Sequence, residues 1–133
     1  MPPWDLSIED YFSRSDNVIE GQMRLHRKYR GDCLYPFFYA SIETEAWGGS
    51  TLFLPDGPPL CGAPIIGSPK DIDQLEVPSI AQSAGLARVL ETIAGLKAQV
   101  GDTVPIIGVA ISPFSLPVMQ MGFHAYIELL YEQ

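Results

Sequence analysis

Val104-Pro105-Ile106-Ile107-Gly108-Val109-Ala110-Ile111-Ser112-Pro113-Phe114-Ser115-Leu116 is the stretch whose reading decides the fold. Between Pro105 and Ser112 every residue is apolar or glycine. The run is too short for a helix with one wet face and lacks the alternation of a half-exposed strand. It therefore predicts a strand buried on both faces, as in a parallel sheet. Ser112-Pro113 ends it, because proline has no amide N–H for a ladder. A strand that stops in a small polar residue and feeds a helix is where α/β proteins place ligands, so this end is a candidate wall of a site.

The flanks support an α/β reading. Upstream, Leu86, Val89, Leu90, Ile93, Leu96 and Val100 recur at three or four residues, with Gln82, Arg88, Glu91 and Lys97 on the other side. That spacing predicts one amphipathic helix from Ile80 to Val100, stopped at Gly101-Asp102. Downstream of Pro117, Val118, Met119, Met121, Phe123, Tyr126, Ile127, Leu130 and Tyr131 predict another, with Gly122 as its point of interruption and the methionines as core filler. A second apolar run, Cys33-Leu34-Tyr35-Pro36-Phe37-Phe38-Tyr39-Ala40, predicts another strand. The segment Ser41 to Gly49 then predicts a short helix capped by Ser41 and stopped at Gly48. Its Glu43 and Glu45 stand at i and i+2, which turns them to different faces and argues against joint acid–base work. Ser50 to Leu54, the turn Pro55-Asp56-Gly57-Pro58-Pro59 and the return Leu60 to Ile66 predict a hairpin-like excursion.

Ser7-Ile8-Glu9-Asp10 and Ser68-Pro69-Lys70-Asp71 have the spacing of helix-opening capping boxes. Ser15-Asp16-Asn17 breaks the first of these helices and offers a cap for the next, which ends at Gly31. That next helix holds four of the chain's eight Lys and Arg residues: Arg24, Arg27, Lys28 and Arg30. A solvated cationic face explains them, and an anion or partner contact is the sharper alternative. His26 among them reads as a surface or packing residue rather than a ligand.

The 133 residues suit one domain, 1–133, and 47% hydrophobic residues suffice for a core. A net charge of −8 argues against a nucleic-acid surface. Cys33 and Cys61 form no CxxC and read as reduced intracellular thiols, with a disulfide or a metal site as the minor alternative. Met1 to Asp5 lacks the basic and apolar regions of a signal peptide, and no window approaches the roughly 18 apolar residues of a membrane span. A cytoplasmic protein with no membrane partner is expected. Two buried-type strands, each with one helix, cannot close a covered sheet. The last amphipathic pattern also runs to Glu132-Gln133 with no C-cap. The expectation is a front portion of a larger protein, or a chain that needs a partner.

The order of features resembles the N-terminal part of the uroporphyrinogen decarboxylase superfamily. The residues that carry the likeness are Glu45-Ala46-Trp47-Gly48, Asp56-Gly57-Pro58-Pro59, Ser68 to Leu75 and Val104 to Leu116, within a span from about Asn17 onward. Within the superfamily the chain is most similar to the corrinoid-dependent methyltransferases of the cobalamin:coenzyme M type. The resemblance implies a (β/α)8 TIM barrel, of which this chain holds the N-terminal helices, the first two βα units and the hairpin-like excursion. Leu34 to Ala40 would be the first barrel strand and Val104 to Ile111 the second. Since barrel sites lie at the C-terminal ends of strands, Tyr39, Ser41, Ser112, Phe114 and Ser115 are the implied substrate-binding residues. No catalytic residue is implied here.

Two departures bear on activity. Decarboxylases of the family carry an Arg-rich R-Q-A-G-R type motif before the first strand, whereas Arg24, Arg27 and Arg30 have other spacing. They also carry an Asp in a Phe-Ser-Asp element at the end of that strand, which holds the pyrrole NH groups. Counting back from Ala46-Trp47-Gly48, that position holds Tyr39, a neutral phenol. The methyltransferase branch implies zinc in the C-terminal half and a corrinoid carried by a partner protein. Neither cofactor is expected in this chain. Its expected partners are itself or the missing half-barrel, and the isolated chain is expected to be inactive. A decarboxylase with an altered site and a non-catalytic association module remain the alternatives.

Overall fold

The computed structural model describes residues 5–131. The readings that touch Met1 to Trp4 and Glu132-Gln133 lie outside them. Seven α-helices and one two-stranded sheet are formed among the described residues: α1 (Ile8–Ser13), α2 (Ser15–Tyr29), α3 (Ile42–Ala46), β1 (Thr51–Leu52), β2 (Leu60–Cys61), α4 (Pro69–Ile72), α5 (Ala84–Val100), α6 (Ser115–Met121) and α7 (Phe123–Tyr131). No helix among them is long and apolar enough to cross a membrane.

Local chemistry places most of these boundaries. Ser7 caps α1, its Oγ accepting the Asp10 N–H at 3.0 Å. The Asp71 carboxylate accepts the Ser68 N–H at 2.7 Å and opens α4 behind Pro69. Three boundaries differ from the sequence reading. The α1–α2 break is at Arg14 alone, and α2 starts directly at Ser15 with no side-chain cap. Its C-terminus is closed by Arg30 in the left-handed region (φ 51°), not by Gly31, because the Arg30 N–H reaches the His26 carbonyl at 2.7 Å. The helix expected from Ile80 is a 3-10 turn (Ile80–Gln82), an extended Ser83 and then α5. At Gly122 a φ of 84° separates α6 from α7.

The two apolar runs do lie parallel and adjacent, through one bridge, Leu34 to Ile106. The Leu34 N–H donates to the Pro105 carbonyl at 2.8 Å, and the Ile107 N–H donates to the Leu34 carbonyl at 2.9 Å. The pairing goes no further. Pro36 has no N–H, and the Phe37 N–H is spent on the Tyr35 carbonyl at 2.8 Å, a three-residue turn that removes it from any ladder. The expectation that residues 104–111 are buried on both faces is also corrected. Ile107 to Ala110 are exposed, and in the first run Leu34, Pro36 and Phe38 are buried while Tyr35 and Phe37 face out. Helices cover only one side of the pair. A parallel strand is hidden on both faces only when a second layer covers the other side.

Two apolar clusters join the runs to the helices. Val18, Phe38, Tyr39 and Ile42 pack with Tyr11, Phe12, Phe53 and Val89. Ile19, Leu34, Leu96 and Val100 pack with Met23, Val104 and Ile106. Helices α2 and α5 approach so closely that a Cβ on Gly95 would stand 2.3 Å from Ile19 Cδ1. Leu90, read as part of the apolar face of α5, is exposed. The hairpin is present as expected, antiparallel with Thr51 opposite Cys61 and Leu52 opposite Leu60. It folds back on α6, whose buried Gln120 accepts the Ile65 and Ile66 N–H groups with its main-chain carbonyl.

Candidate functional site

The ends of the two parallel runs meet at α3. Tyr39 ends the first run, Ile111 and Ser112 end the second, and α3 supplies a carboxylate to each. Glu43 Oε1 accepts the Ile111 N–H at 2.6 Å. Glu45 Oε2 accepts the Tyr39 hydroxyl at 3.3 Å. The two acids serve separate partners, in accord with their i, i+2 spacing.

Tyr39 is 4% exposed. Its ring meets Phe12 edge-on at 5.3 Å and Phe53 edge-on at 5.5 Å, with Phe38 beside it. Burial first, and then the charge and hydrogen bond of Glu45, push its phenol well above the ordinary value of 10.0, with Arg88 partly opposing. At neutral pH the first run therefore ends in an uncharged hydrogen-bond donor. Ser41 is 1% exposed and in helical geometry. It does not cap α3, as had been expected, because its Oγ bonds Thr51 Oγ1 at 2.8 Å and pins the hairpin to the strand end.

The sequence spacing places Arg88 on the wet side of α5. Its Nη1 instead donates to the Phe12 carbonyl at 2.9 Å, and its charge acts on Tyr39. Helical periodicity could not reveal this, since an Arg side chain is long enough to reach inward from the edge of an apolar stripe.

At the second run, Ser112 Oγ accepts the Ser115 N–H at 3.1 Å and donates to Ser115 Oγ at 3.0 Å, opening α6. Phe114 is exposed with its ring edge-on to Tyr126 at 5.3 Å. Of the five residues marked in the sequence, Tyr39 and Ser41 are thus buried, and Ser112, Phe114 and Ser115 are exposed. No hydrogen bond or ring contact joins the two groups. The Glu43–Ile111 bond connects their segments, beside a crevice of about 20 Å³ lined by Phe37, Tyr39, Glu43, Val109 and Ile111 among others. A wider opening of about 300 Å³ is lined by Glu45, Ala46 and Gln82 to Gly85.

Among the described residues no three His, Cys, Asp or Glu side chains come together as a metal-binding group. His124 is on the surface beside Glu128, His26 lies on α2 with its Nδ1 buried, and both cysteines are free. These residues do not fit a zinc site.

Two parallel runs, each leading into a helix at a shared end, define an α/β chain with its candidate site at the strand C-termini. The family model for uroporphyrinogen decarboxylase (URO-D) matches residues 5–133, and the chain belongs to that family. No curated protein matches the chain. The family's fold is a TIM barrel, and the helical layer, the parallel bridge and the small hairpin found here are consistent with part of one.

Proposed function

We propose that this chain forms the first two walls of a URO-D family site that works in methyl transfer rather than in porphyrinogen decarboxylation. The observation that carries the reading is Tyr39. Decarboxylases of the family need an anionic acceptor at this position to hold protonated pyrrole nitrogens. Here the position holds a buried phenol, committed to Glu45 and kept neutral by its surroundings. The arginines ahead of the first run support the same reading. Arg24 and Arg27 both turn to Glu20, at 2.6 and 3.1 Å, on the surface of α2.

In this reading Ser112, Phe114 and Ser115 face the substrate or a docked corrinoid protein, and Tyr39 and Ser41 back the wall. The outward face of Tyr35, Phe37, Ile107 and Val109 packs on further barrel strands, supplied in cis or by another chain. The exposure of these four side chains favours that association. By itself the chain offers one side of a site and is inactive.

The test is turnover by the protein expressed from its complete reading frame. Methylation of a thiol from a methylated corrinoid is expected, with no coproporphyrinogen from uroporphyrinogen. Coproporphyrinogen formation would overturn the reading, as would either activity in the 133-residue chain alone.

A further inference from the structure

We propose that Glu43 is a positioning residue: its carboxylate holds the C-terminal end of the 104–111 run, and through it the turn Ser112-Pro113-Phe114. The proposal rests on the reading that this end faces a ligand, but its physical content is independent of which ligand.

The second run is fastened to the first at its start by the Leu34–Ile106 bridge. From Gly108 to Ala110 the residues are exposed and in no regular pairing. The next fixed point is the Ile111 N–H, held by a side chain 68 positions away at 2.6 Å. The acceptor is a carboxylate, and a bond to a charged group is roughly twice as strong as one between neutral groups. A strand normally keeps its end in place through ladder bonds to a neighbour. Here α3 does so with one carboxylate. Ile111 is followed at once by Ser112, whose hydroxyl and carbonyl organise the start of α6. The orientation of Phe114 therefore depends on where Ile111 is held. Glu43 also lines the crevice between the run ends, together with Tyr39 and Val109.

Amide exchange by NMR on the whole chain tests this with two variants. In Glu43→Ala, exchange at Ile111 should accelerate on the order of ten- to a hundredfold, the loss expected for a bond to a charged acceptor. The amides of Leu96 and Val100 in α5 should keep their rates. In Glu43→Gln the side-chain carbonyl still accepts, so protection should largely return. The Ile111 amide proton should nevertheless move upfield, because the acceptor is no longer charged. That shift separates positioning by the carboxylate from simple space-filling. Unchanged Ile111 exchange in Glu43→Ala overturns the proposal. An unshifted Ile111 proton in a folded Glu43→Gln variant overturns it as well, and that arm stands even where the alanine variant fails to fold. If the clasp is seen and the full protein makes coproporphyrinogen, the methyl-transfer reading fails and the positioning role stands.

Discussion

Replacing Tyr39 by Asp introduces the residue type that the proposed reading places at this point in family decarboxylases, and the packing around Tyr39 leads to the expectation of a destabilised chain without their chemistry. The ring packs between Phe12, Phe38 and Phe53 at 4% exposure. Removing a buried aromatic ring costs about 3–5 kcal/mol. The new carboxylate is too short to reach Glu45 and would sit among the aromatic rings away from water, which adds about 1–3 kcal/mol for a poorly paired buried polar group. Arg88 offsets a part of this. The expected loss is about 4–7 kcal/mol, against a total stability of about 5–15 kcal/mol for a typical domain. With a urea m value of about 2 kcal/mol/M, the unfolding midpoint should fall by about 2–3.5 M. The assay is urea unfolding followed by far-UV circular dichroism, with turnover of uroporphyrinogen measured in parallel. A midpoint within 0.5 M of the parent, on the order of 1 kcal/mol at that m value, would refute the placement of Tyr39. Faster uroporphyrinogen turnover in Tyr39→Asp would refute the chemical argument.

Other outcomes follow from the same contacts. Tyr39 should stay protonated through the pH range in which exposed tyrosines ionise, so Tyr39→Phe should leave the absorbance titration near pH 10 unchanged. Because the folded phenol holds its proton more tightly than the unfolded one, its contribution to stability is complete below pH 10 and declines as pH rises further. Unfolding midpoints at pH 9 and 11 check the sign. Arg88→Met should lose the bond to the Phe12 carbonyl, costing about 1–3 kcal/mol and loosening α1, read as faster proteolysis near Arg14. Leu96→Ala removes a fully buried side chain that touches both runs through its cluster, and should cost about 2.7–5 kcal/mol in thermal or urea unfolding.

Much of this fold could be read from local patterns. The S-x-x-D caps, the Gly122 interruption and the apolar spacing of α5 each act over a few residues, and each is found with only small shifts of boundary. What failed needed knowledge of contacts. The apolar composition of 104–111 reports that the run is meant to be covered, but not which elements cover it. The helix layer covers one face only, and Ile107 and Val109 remain outside. Pro36 interrupts the partner run, so composition suggesting a full strand produced one bridge. Ser41 looked like a cap from its position before an acidic stretch. Its hydroxyl found Thr51 instead, which only the folded hairpin brings near.

The sequence by itself determined the order of helices and extended runs, the family, and the neutral residue at the end of the first run. These rest on side-chain identity and short-range periodicity, which need no partner to be expressed. The tertiary structure decided what each polar group does. It paired Tyr39 with Glu45, brought Arg88 inward to Phe12, and set Glu43 against the Ile111 amide. These bonds join residues 6, 76 and 68 positions apart. The two long-range ones have no signature in the chain, because each is selected by which unsatisfied donor or acceptor the packed helices leave within reach.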